Sequence, residues 1–405
     1  MPAALCLIQV TTARHFPLRN NRTKNAAGTP LALSDLFIGE KPVRGLDMLH
    51  SINLLRTLSC YAIAIFHIQA FVHAHSDTVH LTFSASPGFH LFLAISGFIL
   101  VYITRPDDTP LNFMMKRTVR IIPLYWAATT ITLLLVLARP WLFHEADTSL
   151  SSIASSYLLL PHYDLGGDIQ PILFVGWTLG YIMLFYLLFS LSLFMPERVQ
   201  VPTAIVMTIG VIAGAKLLPA GAYREFYGDP ILLEFAMGCL IGLTLRQKAI
   251  QEWVKRTPMW PLGLLGIAGF ALVMSVTLPS WGRMAVYAVS SGLVVFACAG
   301  QDLFRKPLHN EFLSMGGKIS YGIFLIHPLL ITAFGVTLFR ITSNDWVATL
   351  LMFVTVLPLT SVLAYLSFRY FETPTNTWLR KAFRLSKLPP KSVRNATPEM
   401  RPTVV

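Results

Sequence analysis

The sequence is short of charge. Only 13% of its 405 residues are Asp, Glu, Lys or Arg, against 54% hydrophobic. A soluble domain carries about twice that charged fraction, so a chain bathed in water throughout is excluded. Cysteine is scarce too. Cys6, Cys60, Cys239 and Cys298 show no CxxC or metal-type spacing, which removes a disulfide framework and a zinc module. Three of them lie in or beside apolar runs, where a lone Cys is usually a small buried hydrophobe. Residues 1–47 lack an apolar core long enough for a cleaved signal peptide. They read as a disordered basic extension on the cytoplasmic side, with Met48 as an alternative start. The net charge of +12 does not point to nucleic acid, because the basic residues sit between apolar runs and in the tails rather than in one patch.

What the chain has instead is apolar runs of membrane-spanning length. Ten spans are expected, at about 52–73, 87–104, 121–138, 171–195, 201–218, 230–245, 259–278, 284–300, 319–339 and 346–368. The predicted fold is an all-α, polytopic transmembrane bundle over 48–380, with a basic disordered tail at 381–405 that meets anionic membrane lipid. A shorter apolar piece at 152–160 is too short to cross. With the N-terminus cytoplasmic, roughly 26 of the 32 Lys and Arg fall on cytoplasmic segments and about five outside. That asymmetry places both termini in the cytoplasm.

Ionisable residues inside such runs are costly and informative. Arg56 and His67 share the first span. Eleven residues apart, they lie on one helical face, roughly 16 Å apart along the axis. Glu234 follows Pro230 at the opening of the sixth span and should match the depth of His67. Lys116, Arg117 and Arg120 precede the third span, followed by Tyr125 and Trp126. They read either as a positive-inside anchor with its aromatic belt or as guanidiniums gathered for a phosphate-rich ligand. His327-Pro328 interrupts the ninth span. His73, His75 and His80 crowd the first outer loop, with Asp77 as the one nearby carboxylate, which falls short of a metal site. The loop 139–170 offers Tyr157, His162, Tyr163, Asp164 and Asp168 as hydrogen-bonding groups.

Taken in order, these residues resemble a known family. The matches are Leu55-Arg56 with His67, then Ile95-Ser96-Gly97-Phe98, then Lys116-Arg117 with Arg120-Ile121 and Pro123-Leu124-Tyr125-Trp126. They continue with Gly176-Trp177-Thr178-Leu179 and Phe185-Tyr186, Leu233-Glu234-Phe235 with Gly238, Ile319-Ser320-Tyr321 with His327-Pro328, and Tyr370-Phe371-Glu372-Thr373-Pro374. From about Ser51 to Arg380 the chain resembles the acyltransferase-3 family of integral-membrane O-acyltransferases, most closely its exopolysaccharide acetyltransferase branch.

The resemblance implies a multi-pass protein of the bacterial inner membrane that carries an acetyl or similar short acyl group from cytoplasmic acetyl-CoA to a sugar hydroxyl. The acceptor is a polysaccharide or its lipid-linked precursor, and no metal is involved. It implies a donor site at Arg56, Lys116, Arg117, Arg120 and Tyr125. His67 then acts as general base or as transient acyl carrier. His90, Trp177, Tyr181 and His327 are expected to line the acceptor side. Two departures stand out. The family glutamate after Trp-Thr-Leu is Ile182, and the family aspartate of the second span is His90. Glu234 is therefore expected to stand in as the acid for His67. Without such an acid, the alternative is a degenerate member that serves as a glycan or lipid carrier or as a partner in an export assembly.

Overall fold

A computed structural model describes residues 49–81, 86–104, 108–143, 145–305 and 310–385. The expected N-terminal extension, the second start at Met48, Cys6 and the tail from 386 lie outside these residues. Among the described residues the chain is helical, with a single isolated bridge between Tyr163 and Ile169.

The helices in chain order are α1 (His50–His75), α2 (Ser86–Ile103), α3 (Pro110–Ala138), α4 (Leu150–Leu158), α5 (Gly176–Ser192), α6 (Glu197–Ala215), α7 (Ala222–Tyr227), α8 (Leu233–Thr244), α9 (Lys248–Arg256), α10 (Trp260–Ser275), α11 (Ser280–Phe304), α12 (Glu311–Ile341), α13 (Asp345–Ser367) and α14 (Thr373–Ala382). Each of the ten expected spans falls on a helix. Among the described residues, seven helical stretches are long and apolar enough to cross a membrane, and an eighth is if α9 and α10, bent by 94°, count as one. The apolar helices α2 and α5 are shorter.

Helix starts follow local chemistry. Thr109 caps α3 by accepting from the Asn112 amide, with Pro110 at the first position, where its missing N–H costs nothing. Asn310 caps α12 and Asn344 caps α13 in the same way. The first turn of α1 has no cap of its own. Asp302, on α11, accepts from the amides of Ser51 and Ile52, each at 3.1 Å. These caps explain two corrections. The helix of the third expected span, at 121–138, starts at Pro110, so Lys116, Arg117 and Arg120 stand inside that helix rather than before it. The ninth starts at Glu311 rather than at 319. The expected tail begins as helix, since α14 runs on to Ala382.

Two helix pairs set the site. α2 crosses α8 where Gly97 and Gly238 face backbone. A Cβ at Gly97 would run into the Phe235 carbonyl oxygen, and one at Gly238 into that of Ala94. α1 packs along α12, with Gly317 admitting the Asn53 side chain and Gly335 the Phe71 ring. Small residues let the backbones approach where lipid offers no hydrophobic drive for association. The main core then gathers Tyr125, Phe185, Phe235 and Phe324 between the helices. α6, α10 and α13 turn exposed apolar side chains such as Ile209, Leu264, Leu265, Leu350 and Val354 outward, as lipid-facing helices do.

Candidate active site

The close pairing of α1 with α12 brings His67 against His327. The two rings lie nearly parallel, 5° apart in plane, with His67 Nδ1 2.8 Å from His327 Nε2. His327 is fully buried, and its Nδ1 sits 3.0 Å from the Ile323 carbonyl oxygen one turn earlier. A carbonyl only accepts, so His327 Nδ1 carries the proton. Its Nε2 then accepts from His67 Nδ1–H in the neutral pair. The chain Ile323 O, His327, His67 therefore leaves the lone pair on His67 Nε2. That nitrogen has no protein partner among the described residues. His67 is half-buried, with Phe174 edge-on at 4.9 Å and Phe66 at 5.5 Å between ring centres. His327, expected on the acceptor side, is buried against the His67 ring.

Eleven residues towards the start of α1, Arg56 belongs to a cationic cluster drawn from several elements. Its electrostatic neighbours are Arg120 of α3, Cys60 and Tyr186 of α5. Arg117 shares Arg120 and Tyr186, and adds Arg380 of α14 and Asp108. Glu372 neighbours Arg120 from the π-turn Phe368–Glu372 that links α13 to α14. The Arg117 guanidinium lies over the rings of Phe113 and Tyr186, at 5.3 and 5.6 Å. Its Nε is buried with no hydrogen-bond partner. A buried N–H left unpaired is uncommon and marks a donor with capacity to spare. Arg56, Arg117, Arg120 and Arg380 outnumber the carboxylates Asp108 and Glu372, and Lys116 is ion-paired with Asp108. The surplus is positive. Gathered guanidiniums at low dielectric favour an anion between them. Tyr125 is not free to join such a ligand, because its buried hydroxyl donates to the Ser156 carbonyl at 2.6 Å and pins α4 to α3. Sequence reasoning did not single out Arg380, and Glu372 entered only as part of a motif. They lie far along the chain, and only the turn after α13 carries them back.

Glu234, expected as the acid for His67, is occupied elsewhere. One oxygen lies 2.8 Å from His90 Nδ1, and the other accepts from the Ser291 hydroxyl at 2.8 Å. Both Glu234 and His90 are buried, and Tyr287 stacks on the His90 ring at 4.2 Å. The position where the family has an aspartate is thus half of a closed His–Glu pair linking α2, α8 and α11. Ile182 is buried in the main core. Trp177 meets Phe89, the neighbour of His90, at 4.8 Å, and stands edge-on to Tyr181, which stacks on Phe226 at 3.9 Å. Trp177 lies one turn beyond Phe174, so both follow the segment that covers His67.

The loop side chains are largely used within the protein. The Tyr157 hydroxyl bonds that of Thr130, the Tyr163 hydroxyl donates to Glu225, and Asp164 accepts from the Asp168 amide. His73 accepts from the Leu81 amide and His75 donates to the Phe71 carbonyl. Among the described residues no three His, Cys, Asp or Glu gather as metal ligands do.

Comparison with known proteins bears on this arrangement. The family model described as an acyltransferase domain matches residues 49–367. The exopolysaccharide production protein ExoZ of Rhizobium meliloti is 32% identical over 272 residues, 64% of this chain and 81% of that protein. The O-acetyltransferase OatA of Staphylococcus aureus is 24% identical over 73% of this chain, which spans about half (53%) of OatA. The acyltransferase MdmB of Streptomyces mycarofaciens is 25% identical over 70% of this chain and 79% of its own length. No solved structure matches the chain.

Proposed function

The chain belongs to the acyltransferase-3 family, and from that premise we propose that it O-acetylates a sugar of an exopolysaccharide, or of its lipid-linked precursor, across the bacterial inner membrane. The protein is a multi-pass membrane acyltransferase. The finer reading rests chiefly on one observation, the lone pair held on His67 Nε2 by His327, on the same helix as Arg56.

The donor side suits a CoA thioester. Arg56, Arg117 and Arg120 would hold its phosphates, and the unspent Arg117 N–H is the feature that fits, since guanidinium binds phosphate oxygens in a fork. The thioester, when bound, supplies an activated acyl group. His67 Nε2 takes the proton of the acceptor hydroxyl as its oxygen forms the new ester bond, and the thiolate leaving group recovers a proton. His67 Nδ1–H stays on His327, so the positive charge that develops on His67 is shared along the pair towards the Ile323 carbonyl. His327 thereby does for orientation what the missing glutamate would have done. Both termini lie in the cytoplasm in this reading, with the arginines at the inner mouth and His67 towards the outer face. OatA and ExoZ support an acetyl donor and a polysaccharide acceptor by their names alone.

The test is acetyl-CoA turnover by the purified, detergent-solubilised protein. Wild type is expected to hydrolyse the thioester slowly and His67→Ala to lose that activity. Equal silence from both, with no CoA-dependent thermal stabilisation, would sink the proposal. It would favour the second reading, a non-catalytic glycan or lipid carrier, to which the burial of Ile182 in place of an acid lends some weight.

A further inference from the structure

Away from the histidine pair, α3 and α12 part at one rim and leave a groove of about 350 Å³. Arg139, the C-cap of α3, and Trp141 form one side. Ala333, Val336, Thr337 and Arg340 of α12 form the other. Its depth in the membrane can be read from the helices. Arg117 to Arg139 on α3 and Lys318 to Arg340 on α12 are each 22 residues apart. That is about 33 Å of helix, close to the ~30 Å of a bilayer's hydrocarbon core. Each helix thus carries two cations about one hydrocarbon core apart, and Arg139 and Arg340 share the headgroup level opposite to Arg117.

A helix C-terminus attracts a cation whatever its task. Two further features separate this pair from ordinary end caps. Among the described residues neither arginine has a carboxylate partner. Arg340 lies with its guanidinium carbon 4.1 Å from the Trp141 ring centre. Stacking of that kind holds the planar group still and leaves its in-plane N–H edges free to donate. Arg139 spends one N–H on the Ala138 carbonyl. Below the arginines the wall becomes apolar along Ala333 and Val336. A cationic, donor-rich mouth over an apolar wall, open at headgroup depth, complements an amphiphile with an anionic phosphate.

We propose that this groove binds an anionic phospholipid of the leaflet where α3 and α12 end. The phosphate diester sits between Arg139 and Arg340, one acyl chain runs along Ala333 and Val336, and Trp141 closes the mouth. The site is independent of acyl transfer and stands if that reading falls.

Native mass spectrometry of the full chain, exchanged into mixed phosphatidylglycerol and phosphatidylcholine micelles of equal chain length, tests it. Wild type should retain phosphatidylglycerol preferentially. The double variant Arg139→Gln/Arg340→Gln should lose one retained copy, its affinity falling about tenfold or more as two charge-assisted contacts go. Arg283→Gln, a change at an exposed arginine of α11 outside the groove, should keep that copy, which controls for the loss of an arginine charge elsewhere on the surface. The proposal is overturned if the double variant retains as many copies as wild type, or if Arg283→Gln loses the same one. It is also overturned if a polyprenyl-phosphate sugar, added at equal concentration, displaces the lipid from wild type, because the groove would then be an acceptor site.

Discussion

His67 and His90 stand on packed neighbours, α1 and α2, and each meets one buried partner at 2.8 Å. They differ in the chemistry of that partner and in what covers the ring. The partner of His67 is another imidazole, backed by a carbonyl, so the arrangement ends on an open nitrogen lone pair. The partner of His90 is a carboxylate whose second oxygen is already taken by Ser291, and Tyr287 covers the His90 ring. In both pairs Nδ1 faces the partner and Nε2 keeps its lone pair, but the His67 ring is half-buried and open, whereas the His90 ring is only 4% exposed and closed in under Tyr287. What separates the two histidines is access to the nitrogen left over from the hydrogen bond, not their neighbours in sequence.

The largest expected effect tests the open pair. His67→Ala should lower acyl transfer by about 10²–10⁴-fold, the usual range for a positioned general base, with little change in thermal midpoint. His90→Ala measured beside it should do the reverse. If the two variants lost activity alike at equal stability, the distinction drawn between the pairs would be wrong.

Next comes the closed pair. Glu234→Ala leaves His90 buried without its acceptor, at a cost of about 3–5 kcal/mol if the pair is ionised and about 1–3 kcal/mol if it is a neutral hydrogen bond. Thermal unfolding in detergent reads this directly, and the kcat of the surviving folded fraction should stay near that of wild type. A loss of kcat in protein that melts normally would move Glu234 into the chemistry.

A smaller effect probes orientation. His327→Ala removes the acceptor for His67 Nδ1–H and frees the ring to swap tautomers. That should cost about tenfold to a hundredfold in kcat, the scale on which outer-shell partners act, with KM for the donor nearly unchanged. His327→Gln keeps an acceptor oxygen within reach and should recover part of the loss. A purely structural role for His327 would show instead as a fall in thermal midpoint that Gln does not rescue.

Much of this was legible in the sequence. Apolar runs placed every expected span on a helix because lipid forces backbone polar groups to be satisfied within each segment. The spacing of Arg56 and His67 put both on one helix, since it needs only helical geometry. The ends were less legible. The charges Lys116, Arg117 and Arg120 read as preceding the third span, yet Thr109 and Pro110 carry a helix start that places them inside it. Partner choice was legible least. Nothing in the sequence distinguishes whether His67 meets Glu234 or His327, because both lie on later helices at plausible depth. The glycines of α12 decide it by drawing α1 close, while Gly97 and Gly238 draw α2 onto α8 and hand Glu234 to His90.

The smallest effect concerns the cationic mouth, and it asks whether the open pair is fed from there. Arg117→Lys keeps the charge but removes the planar fork, the contacts with the Phe113 and Tyr186 rings, and the unpaired Nε–H. Lys is a point charge with no bidentate grip. If Arg117 holds a donor phosphate, KM for the acyl donor should rise by severalfold to about tenfold, the loss of one charge-assisted contact, while kcat stays close to wild type. The closed pair gives the control, since neither His90 nor Glu234 is an electrostatic neighbour of Arg117 and thermal stability should hardly move. A fall in kcat without a change in KM would mean that Arg117 serves the reaction at His67 rather than the anchoring of the donor. The arginine cluster and the open histidine would then be one site instead of two ends of a path.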